Sequence, residues 1–433
     1  MKKKLLVYVA ALLVVAVMGA CTVANSPANT VNNGGKISSA IVPLNLPESL
    51  DPETELDEWA ERRENTSLDA AFIDSMDKFS YATAARILAV AEKSNVNYSP
   101  TSLYYALAVA ALGAEGETQQ ELLDILGVSD IDYLAENCKN LFTLSYVTEK
   151  TASMTISNSF WVDDSLSIKD DFAKRAAENF FTTSHYGDFQ SAELPKQMTD
   201  WVSENTNGLL KPQFNLSSDQ VFSIINTLYF ASEWIDRFYE ENNTEGDFTL
   251  EDGSKVNVEY MNSMQMAGFN RGENFTRCHM NLKKGHMFFV LPDEGVSVKE
   301  LFADENTLTE ACSGGEEKYG TVNWQIPKFS FDSEMNLSDT VKALGAETMF
   351  SDKADFSGIC DAPLFVSNIR QGSKIAIDEK GVEAAAYTES IYCGSALPTD
   401  EAYMILDRPF IYGIRDDNGN ILFMGVCGNP AEN

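Results

Sequence analysis

Histidine and basic residues are scarce in this chain, and their scarcity narrows the chemistry that it can carry out. The 433 residues include three histidines, and 32 lysines and arginines stand against 65 aspartates and glutamates, for a formal net charge of −33. The motifs His-Glu-x-x-His, Gly-x-Ser-x-Gly, Cys-x-x-Cys and the P-loop are absent. We therefore expect no metal and no cofactor. Nucleic acid and heparin-like polyanions are not expected as partners, because both need clustered cations.

The N-terminus has the pattern of an export signal. Three lysines precede the apolar run 5–17, which is too short to span a membrane comfortably, and Gly19 and Ala20 lie directly before Cys21. Residues 1–20 are predicted to be a lipoprotein signal peptide, with a lipid on Cys21 as the membrane anchor. The alternative is an ordinary cleavage site in which Cys21 has no role. Either way the protein is expected outside the cytoplasm, anchored on the cell surface or secreted.

A polar segment follows the signal. Residues 21–66 are rich in Asn, Ser, Pro and acidic residues, a composition that cannot bury a core, and we expect a flexible tether there. The remaining residues, 67–433, show no repeat and no break in composition, and they are predicted to form one domain. The pairing of the six cysteines beyond Cys21 cannot be deduced from their spacing.

Helical patterns dominate the first part of this domain and strand patterns the later part, which indicates an α+β fold. Ser99 and Pro100 form a typical helix start, and Thr118 with Glu121 has the spacing of a capping box. Apolar or alternating runs predict strands at residues 221–230, 287–291, 322–326 and 421–426.

Several motifs together resemble the serpin family. In chain order they are Asn97–Ser102, Trp201–Gly208, Ile225–Phe230, Leu291–Gly295, Ile326–Phe329, Phe350–Gly358 and Asp407–Phe410. The resemblance covers about residues 76–430. It implies a serpin fold of three β-sheets with eight or nine helices and an exposed reactive loop, in a metastable native state.

The segment 377–388 resembles the hinge of that loop, with Glu379, Gly381, Val382, Ala384, Ala385 and Ala386 as the hinge residues. A strand that enters a sheet buries alternate side chains. If Val382 enters first, the buried set continues with residues 384, 386, 388 and 390, all small or β-branched and uncharged. Both glutamates, at 383 and 389, fall on the other face. Because a buried unpaired charge is costly, this pattern favours insertion.

Other positions take their roles from the resemblance. It places the scissile bond between Ser395 and Ala396. It also implies a sheet-opening cluster, which consists of Ser99, Ser102, Asn226, Gln371 and Trp234. Gln371 stands where the family typically has His, so a pH-sensitive opening of the sheet is in doubt. Met261, Met264 and Met266 are expected to fill gaps in the core.

The resemblance favours a suicide-substrate inhibitor of serine proteases that forms a covalent acyl complex and acts as a monomer, not as an enzyme. No Lys or Arg occurs between Lys380 and Arg408, so elastase-like or subtilisin-like targets are expected rather than trypsin-like ones. A non-inhibitory surface binding protein of the same fold is the alternative. A hydrolase is a third and weaker hypothesis, since no nucleophile–base motif is present.

Overall fold

The computed structural model describes residues 42, 44–50, 54–217, 220–382 and 400–432. Nine α-helices lie within these ranges. They are α1 (Leu56–Asn65), α2 (Ala70–Val90), α3 (Pro100–Gly113), α4 (Gly116–Leu126), α5 (Ile131–Ser145), α6 (Asp170–Phe180), α7 (Leu194–Asn205), α8 (Glu305–Ser313) and α9 (Ser338–Ala343).

Sixteen strands lie within the same ranges. They are β1 (Val96–Tyr98), β2 (Val147–Thr148), β3 (Ala152–Asp163), β4 (Thr182–Gly187), β5 (Phe222–Glu233), β6 (Thr244–Thr249), β7 (Lys255–Arg271), β8 (Phe275–Asn281), β9 (His286–Pro292), β10 (Lys318–Pro327), β11 (Phe329–Asn336), β12 (Arg370–Asp378), β13 (Gly381–Val382), β14 (Glu401–Ile405), β15 (Phe410–Arg415) and β16 (Ile421–Cys427).

Helix α3 lies at the centre of the helical layer. Thirteen of its fourteen residues are buried, so it is enclosed on all sides by α2, α4, α5, β5 and β16. The predicted start is confirmed: the Ser99 side chain accepts a hydrogen bond from Ser102 N at 3.2 Å, and Pro100 occupies the first turn. This places two polar residues of the helix start against the sheet.

The predicted capping box is wrong. Helix α4 begins at Gly116, so Thr118 lies inside it rather than at its N-cap. The Thr118 hydroxyl accepts from Asp355 N at 2.9 Å, and the Glu121 carboxylate accepts from both the amide and the hydroxyl of Thr348. The Thr118 hydroxyl and the Glu121 carboxylate, which the local pattern assigned to a helix cap, therefore bind a distant segment instead.

The strands form two hydrogen-bonded networks in the described part of the chain. The smaller has the order β11-β12-β13-β5-β3-β2, with β4 also paired to β3. The larger has the order β1-β16-β15-β9-β8-β7-β10-β14, with β6 also paired to β7. Strand β7 is 17 residues long and belongs to two parts of the larger network, because residues 255–260 pair with β6 while residues 260–271 pair with β10 and β8. The expected α+β fold is confirmed.

The segment before residue 67 contains more structure than a flexible tether. Residues 56–65 form α1, which buries no side chain but has acidic residues in its first turn and basic residues in its last, as the helix dipole favours. Ser49 Oγ donates to the Glu149 carboxylate at 2.7 Å and accepts from Thr148 N at 2.9 Å, and Leu50 is buried. Ser49, within the expected tether, therefore lies against β2 at the edge of the smaller network. No helix among the described residues is long and apolar enough to cross a membrane.

Candidate functional site

The segment predicted as the hinge forms a tight hairpin. Strand β12 ends at Asp378, residues 379 and 380 make the turn, and β13 returns antiparallel to β12. The Asp378 carboxylate accepts from the amides of Lys380 and Gly381 at 2.8 and 3.2 Å. These hydrogen bonds form an Asx turn, in which an aspartate side chain binds the backbone two residues later and stabilises the turn. The hairpin directs the chain back along β12.

Gly381 is required by the close approach of the neighbouring strand. A Cβ at this position would lie 2.2 Å from the carbonyl oxygen of Ser232 and 2.8 Å from Cα of Glu233. Both atoms belong to the backbone of β5, which cannot move aside without breaking its pairing with β3. Any side chain here would therefore push β13 out of the sheet.

Val382 is held between two strands. It pairs with Ile377 of β12 on one side and with Ser232 of β5 on the other, and 4% of it is exposed. No hydrogen-bonded pairing joins β12 directly to β5, both of which are described in full. At a spacing of about 4.8 Å per strand, the two strands that flank Val382 are separated by the width of one further strand.

The turn is fastened by the segment that follows β5. Trp234 Nε1 donates to the carbonyl of Asp378 at 2.9 Å, and the backbone amide of Trp234 donates to the carbonyl of Lys380 at 2.9 Å. Phe238 N donates to the carbonyl of Glu379 at 3.1 Å. Trp234, expected in the sheet-opening cluster, therefore holds the hinge and takes no part in the hydrogen bonds of the other four residues.

A charged group supports the other side of the turn. The Glu379 carboxylate is largely buried and accepts from Lys328 Nζ and from Asn243 Nδ2, each at 2.5 Å, while Lys328 also contacts Glu259 at 3.0 Å. Burial raises the pKa of Glu379, but the hydrogen bonds from Lys328 and Asn243 outweigh burial, so the pKa lies below its ordinary value. The carboxylate is thus ionised and paired at neutral pH.

The other four members of the sheet-opening cluster lie on one chain of hydrogen bonds. Gln371 Nε2 donates to the carbonyl of Ser99, and its Oε1 accepts from Ser99 N, both at 2.8 Å. Ser102 Oγ donates to the side-chain oxygen of Asn226, whose Nδ2 donates to Asn158 Oδ1 at 2.6 Å. The chain runs from β12 through the start of α3 to β5 and β3. It therefore links the two strands that flank Val382 at a level below the hinge.

Two residues of the site were not identified from the sequence. Asn158 continues the chain of hydrogen bonds and also donates to the carbonyl of Phe180 at 2.8 Å. An asparagine within the otherwise apolar and hydroxylic run of β3 was a signal of a buried polar contact. Lys328 belongs to the Ile326–Phe329 motif, but no local pattern shows that it contacts Glu379, 51 positions later.

Several predicted site residues lie outside the described part of the chain. They are Cys21, Ala384, Ala385, Ala386, Ser395 and Ala396. Their roles stay predictions. The described ends of the loop are Val382 in the smaller network and Asp400, whose carbonyl accepts from Thr321 N at 3.0 Å, in the larger one.

The expectation for the three methionines is only partly right. Met261 is fully buried, as expected, but Met264 is 70% exposed and Met266 is half-buried. Along a strand, successive side chains point to opposite faces, so Met261 and Met264 cannot share the core.

The five described cysteines are all free and buried: Cys138, Cys278, Cys312, Cys360 and Cys427. Burial raises the pKa of Cys278 and of Cys312 to about 12. A thiol with such a pKa carries almost no thiolate at neutral pH, so these side chains act as core residues and not as nucleophiles.

The geometry defines a class of α+β proteins in which a hairpin places a short strand, here Gly381–Val382, between two longer strands of a sheet. Comparison with known proteins names the class: a family model described as serpin (serine protease inhibitor) matches residues 74–430. The chain belongs to the serpin family, whose members are in general protease inhibitors.

Curated relatives from plants cover most of the chain. Serpin-ZX of Arabidopsis thaliana is 28% identical over 374 residues, which is 79% of this chain and 94% of the relative. Serpin-Z1B of Triticum aestivum is 30% identical over 362 residues, 78% of this chain and 90% of the relative.

Solved structures show the same fold. The thermophilic serpin tengpin in its native state superposes with a TM-score of 0.78 at 24% identity and covers 91% of this chain and 100% of its own. Arabidopsis AtSerpin1 in its native stressed conformation has a TM-score of 0.72 at 26% identity and covers 84% of this chain and 100% of its own.

Proposed function

We propose that this protein is an irreversible suicide-substrate inhibitor of serine proteases. The observation that carries the proposal is the position of Val382, which is hydrogen-bonded between β12 and β5 and begins an inward set of small, uncharged side chains. A loop with that start can extend β13 as a central strand without burying a charge.

The proposed reaction follows from ordinary acyl transfer. The serine of the protease attacks the carbonyl carbon of Ser395, the bond to the Ala396 nitrogen breaks, and the new amine leaves with the proton of that serine. The protease is now an ester of Ser395. Residues 382–395 then enter the sheet, and these 14 residues span about 45 Å as a strand. The acylated protease is carried with them, and its distorted active site cannot hydrolyse the ester.

The loop composition sets the proposed specificity. Tyr392 to Leu397 offer small, aliphatic and aromatic groups, and the loop has no cation for the acidic pocket of a trypsin-like enzyme. Elastase-like and subtilisin-like enzymes, which accept small apolar side chains, are therefore the proposed targets.

A protease panel tests the proposal. Incubation with an elastase or a subtilisin should give a covalent complex that survives SDS, and mass spectrometry of the released peptide should place the cut at Ser395–Ala396 or within about three residues of it. Trypsin should give no such complex, although it can cut elsewhere. Cleavage by every enzyme without any complex would instead favour a non-inhibitory surface binding protein, and faster trapping of trypsin than of elastase would refute the specificity.

We also propose that the protein is a bacterial lipoprotein, held outside the cytoplasm through Cys21. The basic start, the apolar run 5–17 and the small residues at 19 and 20 support this. Growth with a labelled fatty acid should label the wild type but not Cys21→Ala, and absence of label from the wild type would contradict the anchor.

A further inference from the structure

One exposed sheet surface contains large apolar side chains that the proposed mechanism does not use. Met264 of β7, Asn323 of β10 and Tyr403 of β14 lie directly opposite one another in the pairing of the three strands. Tyr319 lies four residues before Asn323 and so on the same face. We call these four residues the Met/Tyr face. Its three large side chains are 59–70% exposed: Met264 70%, Tyr319 63% and Tyr403 59%.

The opposite face of the same strands is core. Val322, Trp324 and Met404 are buried to 2% exposure or less. Burial on the inner face fixes the strand pairing, since a slip of one residue would bring Trp324 to the surface. The exposure of Met264 and Tyr403 is therefore built into the fold and is not a result of loose packing.

The centre of this face contains little charge, although the chain has a net charge of −33 and Arg271, at the margin, donates to the Glu401 carbonyl at 2.6 Å. The three central rows of paired residues contain a single charged group, Glu401; the rows are Asn262–Gln325–Ile405, Met264–Asn323–Tyr403 and Met266–Thr321–Glu401. That carboxylate accepts from the Tyr403 hydroxyl at 2.9 Å and from Asn323 Nδ2 at 2.8 Å. The surface is suited to an apolar, aromatic or amide-rich partner rather than to a charged one.

The position of the face relative to the loop identifies the partner. The loop ends at Asp400, whose carbonyl is bound to Thr321 N, and β14 begins at the next residue. Ser395 is five residues before Asp400, so the proposed scissile bond lies within about 17 Å of it even at full extension. A protease is much larger than this distance. One that engages the loop must bring its surface close to the Met/Tyr face.

We infer that the Met/Tyr face docks the target protease, on the side of the protease cleft where residues after the scissile bond leave. This inference rests on the proposed function and adds a determinant of partner choice outside the loop. The protease surface it suits is uncharged and apolar. Docking holds the encounter complex together while acylation competes with dissociation, so it raises the rate of trapping and leaves the later insertion unaffected.

The test uses Met264→Ser/Tyr403→Ser in the full-length protein, with Val90→Ser as the matched control. Val90 is 74% exposed but lies at the end of α2. With a protease that the wild type traps, the double variant should trap about fivefold more slowly or worse, as loss of a central contact predicts. The number of inhibitor molecules consumed per protease and the melting temperature should stay unchanged. The difference should persist at high salt, because it does not arise from charge.

Each other outcome has a definite meaning. If the wild type traps protease and the double variant traps every tested protease at the wild-type rate, the docking inference is wrong and the proposed function stands. If the wild type traps none, both fail. If ultracentrifugation instead shows that the wild type is a dimer and the double variant a monomer, with equal trapping rates, the face joins two copies of this chain. In that case the inference is again wrong.

Discussion

Gln371 joins α3 to β12 with a side chain that does not titrate. It donates to Ser99 O and accepts from Ser99 N, and a neutral amide has both groups at any pH. A neutral imidazole could also provide one donor and one acceptor, but a protonated one has two donors and cannot accept from the amide. The residue at position 371 therefore decides whether the link between helix and sheet responds to acid.

Gln371→His is expected to make stability depend on pH. Burial lowers the pKa of a histidine, so its folded pKa lies below the unfolded value of about 6.5, and the stability it contributes falls as pH falls through that value. Relative to wild type, the variant should lose about 1–2 kcal/mol of unfolding free energy between pH 7.5 and pH 5, since one histidine contributes at most about 1.4 kcal/mol per pH unit below its unfolded pKa. Denaturant unfolding at several pH values measures this.

The control is Gln371→Met, which loses both hydrogen bonds at every pH and should show a constant offset from wild type. Burial lowers the pKa of His185 and of His286 to about 4, so wild type itself weakens in acid, but all three proteins share this effect. A difference between Gln371→His and wild type that does not change with pH would refute the argument.

At the scale of the element, β13 sets which side of the loop faces the core. Val382 is buried and its neighbours along a strand must alternate, so Ala384 is expected to face inward and Ala385 outward. Glu383, next to Val382, is expected on the outward face for the same reason. The burial of Val382 therefore predicts the faces of the residues that follow it, which lie outside the described part of the chain.

Ala384→Arg is expected to convert the inhibitor into a substrate, while Ala385→Arg is expected to inhibit normally. Burying an unpaired guanidinium costs several kcal/mol and should stall insertion, whereas the proposed acylation at Ser395 comes before that step and should be unaffected. The measurement is the ratio of cleaved inhibitor to covalent complex with one protease. Equal ratios for the two variants would mean that the assigned alternation is wrong.

Elements whose signals are local could be predicted from the sequence. Ser99 and Pro100 begin α3, and Gly127 ends α4 in the left-handed conformation, because a cap needs only its own turn. Elements decided by distant contacts could not. The Thr118 hydroxyl accepts a hydrogen bond from Asp355 of a distant segment instead of capping α4. Met264 is exposed, although an apolar side chain suggested a place in the core.

The candidate site also has parts that could be predicted from the sequence and parts that could not. The hinge pattern around Val382 could be predicted, because the alternation of side chains is a property of a single strand. The role of Trp234 in fastening the turn, and that of Asn158 in extending the hydrogen-bond chain, depend on strands that meet only in the fold.

At the scale of the whole molecule, the smaller network contains one site at which a central strand can lengthen. Its two flanking strands, β12 and β5, are linked to one another through β13 at Val382 and through α3 by the hydrogen bonds of Ser99 and Ser102. A full strand between them would pair along both of its edges. The protein with that strand in place should be considerably more stable than the intact one.

Cleavage of the loop is therefore expected to raise the melting temperature by tens of degrees. Each kcal/mol of added stability raises the melting temperature of a large domain by about 2–4 °C. A rise of tens of degrees is expected because a new central strand adds hydrogen bonds and buried side chains along its whole length. Calorimetry of intact and loop-nicked protein measures the change. Nicked Ala384→Arg should gain much less, and equal melting temperatures for intact and nicked wild type would count decisively against insertion.

The hairpin of β12, the Glu379–Lys380 turn and β13 also has a kinetic consequence. Forming a strand pairing has two stages: a slow nucleation, in which a turn is closed and ordered without much gain, and a faster propagation, in which each added residue pairs at once. Here the turn is already closed by Asp378, Trp234 and Phe238, and the first pair on each side already exists. The proposed insertion is therefore expected to add residues one pair at a time without a nucleation step, and its duration is expected to grow with the number of residues that remain to enter.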